Sequence, residues 1–202
     1  MKRYFISTIA TMLAPITLSA VDGVVLINQS TVMAAGGFPY KITLPGSYRL
    51  TSNLINAPAG KDGIDITADN VTIDLNGFAV MTTLGGGSEE IGICGGVGAG
   101  PFGCVNTSSH TTVMNGSVTG FALGIFLGDG ATIQNVRVSS QPGAGITVGT
   151  GSIVKNNVSD NNNGVFVACP GVVIGNVMLY QATTSSGLFT RSSGCTLIGN
   201  AP

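Results

Sequence analysis

The chain has 202 residues, of which only 8% are charged and 31 are glycine, with a formal net charge of −1 and a single histidine. That length suits one domain with a sizeable core. A nearly neutral chain has no basic footprint for phosphates or anionic lipid, so neither nucleic acid nor an anionic membrane is expected as a partner.

Residues 1–20 read as a secretory signal peptide. Lys2 and Arg3 form a positive start, Tyr4 to Leu18 is a mostly apolar run without charge, and Leu18-Ser19-Ala20 offers a cleavage site before Val21. The run is short for a bilayer span and no later segment is long and apolar enough to make one. The mature chain is expected outside the cytoplasm, either secreted or at the cell surface, in the extracellular or periplasmic space. Residues 21–60 are expected to form an N-terminal cap and opening coil. Within them Val24 to Ile27 reads as a strand, Ser30 to Ala35 as a short helical turn, and Pro45-Gly46 as a turn.

From residue 61 to 202 the pattern repeats. Asn76, Asn115, Asn135, Asn156, Asn176 and Asn200 each follow a short apolar run, at separations of 39, 20, 21, 20 and 24 residues. A period near twenty without helical periodicity predicts a stacked β-solenoid. A glycine opens each coil, as in Gly124-Ile-Phe-Leu, Gly145-Ile-Thr-Val, Gly164-Val-Phe-Val and Gly187-Leu-Phe-Thr. Runs such as Ile64-Asp65-Ile66 alternate, which places the two isoleucines inward and Asp65 outward. The recurrent asparagines are expected at sharp corners, stacked on one another through their amides, and the glycines are expected to supply permissive turn dihedrals. Residues 84–103, Gly-rich and carrying Glu89-Glu90, read as a loop thrown out from the stack. The chain stops on a corner at Asn200-Ala201-Pro202, an edge that invites end-to-end self-association.

Four cysteines agree with an oxidising compartment. Cys94 and Cys104 bracket a glycine-rich stretch, while Cys169 and Cys195 lie 26 residues apart, about one coil. Neither pair has zinc spacing, and structural disulfides are the reading adopted. Four cysteines allow three connectivities, and spacing does not choose among them.

Val71-Thr-Ile-Asp-Leu-Asn-Gly and the Ile-x-Asn corners resemble the right-handed parallel β-helix repeats of the pectin-lyase-like superfamily, over roughly residues 60 to 200. The stretch Ile42-Thr-Leu-Pro-Gly-Ser-Tyr-Arg-Leu-Thr resembles the opening coil of secreted bacterial members. The resemblance implies an all-β, single-stranded right-handed parallel β-helix of about six or seven coils. It does not imply an activity, because the superfamily spans pectate lyases, polygalacturonases, alginate epimerases, phage tailspikes and adhesins.

Three functional expectations follow. The first is a non-catalytic module that binds polysaccharide or a cell-surface protein along a strand face. Phe126, Phe166 and Phe189 share one register, two residues after the coil-opening glycine, with Thr147 interrupting the row. Facing outward they form a ligand stripe; facing inward they are a core stack, and a one-residue slip decides between the two. The second is a calcium-assisted polysaccharide lyase or hydrolase relic, with Asp62, Asp65 and Asp74 as oxygen ligands. The bases open to it are Lys61, Arg137, Lys155 and Arg191; a solvated strand face is the plainer reading of the acids. The third is a fibre subunit assembling end to end. Polygalacturonase signatures and the Asp-Pro-His run of alginate epimerases are absent, Asp129 and Asp160 do not form a credible dyad, His110 reads as a turn residue, and no Gly-x-Ser-x-Gly elbow occurs. No catalytic residue is assigned, and no cofactor is expected apart from the calcium option.

Overall fold

The computed structural model describes residues 23–56, 60–83, 90–98, 104–106, 108–139, 142–160, 163–179 and 187–201. The signal-peptide expectation for residues 1–20 lies outside them. No helix among the described residues is long and apolar enough to cross a membrane.

The strands wind into a parallel β-solenoid of about six turns. One sheet, called A here, runs from Val24–Ile27 through Gly46–Leu50, Val71–Asp74, Thr112–Thr119, Thr132–Ser139, Ser152–Lys155 and Gly171–Ile174 to Cys195–Ile198. Sheet B runs from Tyr40–Ile42 through Ile64–Ile66, Ile91–Cys94, Leu123–Leu127, Ala144–Val148 and Asn163–Ala168 to Leu188–Arg191. A second limb of sheet A links Leu54–Asn56, Ala79–Thr82, Val158–Asp160 and Val177–Leu179 through the long strands Thr112–Thr119 and Thr132–Ser139.

These residues are strands because Val, Ile and Thr fit a pleated, half-buried surface, and their period of two sends alternate side chains into the coil. In sheet A, Tyr48, Ile73, Val113, Ile133, Val154 and Val173 stack in one buried inward column. In sheet B, Ile64, Ile93, Ile125, Ile146 and Val165 form the facing column. Each coil thus covers the apolar face of its neighbour, which no single coil can bury alone. At the N-terminal end the expected helical turn is a helix, Gln29–Ala34, that sinks Val32 into the same core. Asn28 and Thr31 close it reciprocally, each side chain accepting from the other's backbone N–H at 2.9 Å.

Three expectations change in detail. The asparagine marks do not form one column. Asn76, Asn115, Asn135 and Asn156 occupy the left-handed corner, with φ between 52° and 60°, but Gly175 and Gly199 take that corner in the next coils. Asn176 and Asn200 stand one residue later, in line with Asn157, and these three make the inward ladder. Asn157 Nδ2 donates to Asn176 Oδ1 and Asn176 Nδ2 to Asn200 Oδ1, both at 3.0 Å. Backbone N–H groups also donate into the ladder from one coil before: Val136 N to Asn157 Oδ1, Asn157 N to Asn176 Oδ1 and Asn176 N to Asn200 Oδ1. The corner asparagines bond more sparsely, Asn135 Nδ2 to Asn115 Oδ1 at 3.3 Å and Asn115 Nδ2 to Asp74 Oδ1 at 3.2 Å.

The coil-opening glycines are the second change. They do not adopt left-handed angles; they are there because neighbouring coils approach too closely for a Cβ. A Cβ on Gly124 would run into Gly145 O and the Val138 side chain, and one on Gly92 into Gly124 O and Val118. Third, the stretch 84–103 is not simply thrown out. Ile91–Cys94 is a strand of sheet B, and Gly96–Gly98 pairs antiparallel with Cys104–Asn106 as a hairpin lying near Ile64–Ile66. Residues 84–89 and 99–103 of that stretch lie outside the described residues.

Of the three connectivities left open by the sequence, the structure has Cys94 joined to Cys104 and Cys169 to Cys195. The second ties the strand Cys195–Ile198 to the coil before it. Leu197, the inward residue of that strand, is 50% exposed.

Candidate functional site

Asp65 and the phenylalanines, far apart in sequence, occupy one column on the outer face of sheet B. Parallel registers align Lys41, Asp65, Cys94, Phe126, Thr147, Phe166 and Phe189 in that order. The common signal is a glycine, an aliphatic residue and then the column residue: Gly63-Ile-Asp65, Gly92-Ile-Cys94, Gly124-Ile-Phe126, Gly145-Ile-Thr147, Gly164-Val-Phe166 and Gly187-Leu-Phe189. Reading 84–103 as loop hid the Gly92 member and with it the continuity of the column. Lys41 and Cys94 were the members missed; Thr147 stands in the row where the sequence placed it.

The phenylalanines face outward. Ile125, Leu127, Val165 and Val167 beside them are buried in the core, while Phe126, Phe166 and Phe189 are partly exposed. Phe166 and Phe189 stack with ring centroids 4.5 Å apart and planes within 12°. Their faces therefore look along the solenoid axis, each ring covering one face of the other and turning its edge to solvent. The three strands Leu123–Leu127, Ala144–Val148 and Asn163–Ala168 contain no charged residue.

At the N-terminal end of the column the outward expectation for Asp65 holds in direction but not in exposure. Asp65 is 4% exposed and Asp62 8%, because the hairpin and its disulfide lie over this part of the sheet. Asp62 Oδ1 accepts from Ile91 N at 2.7 Å, and the Glu90 carboxylate accepts from Gly60 N. Burial pushes Asp62 above the ordinary carboxylate range against the pull of the Ile91 N–H. Asp65 is pushed up to about 7, first by burial and then by the Asp62 charge, with Lys41 partly offsetting both. Both carboxyls are thus held above their ordinary range by shared burial and by each other, Asp65 the more strongly. Asp65 Oδ1 and Asn56 Oδ1 are buried without a hydrogen-bond partner.

Asp74 does not join this pair. It lies on sheet A, where Arg49 Nε meets its Oδ2 at 3.3 Å in a solvent-exposed contact. The three acids singled out by sequence therefore do not converge. The atoms that do converge are one carboxylate oxygen each from Asp62 and Asp65 and the Cys94 sulfur, all within 4.8 Å of one another. The sulfur is held in the disulfide and offers no thiolate. Two carboxylate oxygens within 4.8 Å of each other can touch one cation, but calcium takes about six to eight oxygen ligands, and among the described residues this cluster brings only these two acids together.

Of the candidate bases, Lys61 lines a cavity of about 360 Å³ with Lys41 and the 35–39 segment, next to Asp65. Arg137 pairs with Asp160 at 3.4 Å, Lys155 stands on the outer face of sheet A, and Arg191 is exposed two residues beyond Phe189. His110 sits at a turn with φ 55°. Asp69 accepts from Ser109 N and Oγ of the next stacked coil, 40 residues on, which lowers its pKa. Asp129 accepts from Thr150 N. Neither a protein-family profile nor a curated protein nor a solved structure matches the chain.

Proposed function

We propose that this chain is a secreted, non-catalytic β-helix module that binds polysaccharide along the outer face of sheet B. The observation that carries the reading is the uncharged, outward column Phe126, Thr147, Phe166, Phe189, continuous over four coils. An ordered apolar strip on an otherwise Ser-, Thr- and Asn-rich surface is the kind of patch that marks a binding face. Two disulfides support an oxidising, exported setting. The resemblance of Val71-Thr-Ile-Asp-Leu-Asn-Gly to pectin-lyase-like repeats supports a glycan as ligand. Burial of Asp62 and Asp65 speaks against catalysis, since little of either residue is open to a substrate among the described residues. Affinity electrophoresis of the mature protein in gels cast with neutral and acidic polysaccharides tests the reading. Retardation without release of new sugar ends supports it; free migration in every gel contradicts it.

A second reading, a calcium-assisted lyase, is favoured by the unpartnered Asp65 Oδ1 beside Asp62 and by Lys41 and Lys61 on the neighbouring cavity. Calcium would neutralise the carboxylate pair, and a lysine would draw the proton from an acidic sugar. Absorbance of unsaturated uronate products, growing only with Ca²⁺ and lost in Asp65→Asn, would establish it. A flat trace on every uronate polymer removes it.

A further inference from the structure

Resting on the sheet B reading above, we infer that the level of Thr147 is a ring-sized binding slot, walled by Phe126 and Phe166 and fitted to one sugar ring of a neutral glycan. Phe166 spends one face on Phe189. Its other face looks toward the preceding coil, where the register places Thr147, and Phe126 stands one coil further. Adjacent strands are about 4.8 Å apart, so Phe126 and Phe166 are separated by about 9.6 Å. A single ring between them lies about 4.8 Å from each, close to the 4.5 Å of the Phe166–Phe189 pair. The column is a four-place stack in which Thr147, too short to reach ring height, leaves one place open.

The occupant follows from the walls and the floor. The Phe166 face suits a C–H face of a pyranose, which is apolar, and the Phe126 side chain bounds the other side, while the sugar's hydroxyls lie around the rim. The floor is the Thr147 side chain, whose hydroxyl can both donate and accept. No charge lies on the three strands that build the slot, so a sulfated or uronic sugar finds no counter-charge there. A neutral ring is the ligand left.

The test is calorimetric titration of the full mature protein with cellohexaose, xylohexaose, mannohexaose and laminarihexaose, with hexagalacturonate and phenylacetamide as controls. Thr147→Phe completes the aromatic stack and closes the slot. It is expected to weaken binding of the best neutral hexasaccharide at least tenfold while its melting temperature stays at or above that of the parent. Phe166→Ala removes a wall and is expected to weaken binding about tenfold, a step that corresponds to one well-formed ring contact. Thr147→Val keeps the floor's shape without its hydroxyl and is expected to cost a fewfold. If a neutral glycan binds and Thr147→Phe binds it equally, the slot is wrong while the wider binding face survives. If no hexasaccharide binds, both are wrong. Phenylacetamide binding more tightly than every sugar, or Thr147→Val binding unchanged, overturns the sugar assignment.

Discussion

Asp65 and Asn176 show how a single buried polar group sets local energetics. Asp65 stays protonated in the folded chain up to about pH 7, whereas its ordinary value is 3.8. Between those values the unfolded chain holds fewer protons than the folded one. The pair's contribution is thus complete below about pH 4 and is lost as pH rises through 7, with a size on the order of a few kcal/mol. Without calcium, stability should fall from about pH 4 to about pH 7 and so be lower at pH 8 than at pH 5. Asp65→Asn should flatten that slope and melt above the parent at pH 8. Calorimetric melting at both pH values in chelator checks this; a parent that gains stability toward pH 8 contradicts it. Asn176 accepts from Asn157 N and donates to Val154 O. Asn176→Ala leaves both unpaired in the core and should cost about 3 kcal/mol. Asn135→Ala, at an exposed corner, should cost about 1 kcal/mol, mainly for its left-handed backbone. Denaturant titration of the two variants separates them; equal losses would show that the inward ladder is no stronger than the corner. Sequence placed Asn176 and Asn135 in one column because both follow an apolar run. Only pairing across coils shows that Gly175 has taken the corner and moved Asn176 one residue inward.

At the scale of elements, the coils were legible because alternation of Val, Ile and Thr needs only a local pattern. The strand Ile91–Cys94 was not, because it is short and set among glycines that mimic a loop. Gly92 is there to admit Gly124 O, a reason visible only once coils are stacked. Asp65 was read as a solvated residue for a related reason: what covers it is a hairpin joined by a disulfide from 29 residues downstream, Cys94, and its partner Cys104. The other disulfide has a purely mechanical consequence. Cys169–Cys195 closes a separation of 26 residues, which by loop-closure entropy contributes about 3.5 kcal/mol. Replacing both with serine should loosen Leu188–Arg191 and Cys195–Ile198 first, since this disulfide is the covalent tie between them and the preceding coil. Hydrogen exchange should rise there while Thr112–Thr119 stays protected; uniform loss of protection would mean that the solenoid melts as one unit.

For the whole molecule, the consequence of a solenoid is that every coil presents the same three faces, so a property repeated at one position becomes a line on the surface. On sheet B that line begins with Lys41 and the covered Asp65 and ends with partly exposed aromatics. The phenylalanine register was readable from the glycine spacing, but its direction was not, because inward and outward differ by one residue. The buried state of Ile125, Leu127, Val165 and Val167 decides it. The central claim is that a neutral glycan lies on the Phe126–Phe189 half of this line. Amide chemical-shift mapping during titration with the neutral hexasaccharide that binds best tests it most directly. Perturbations confined to Leu123–Leu127, Ala144–Val148, Asn163–Ala168 and Leu188–Arg191 are predicted. Shifts centred on sheet A, or on Lys41, Lys61 and Asp65 with the aromatic strands silent, would contradict it.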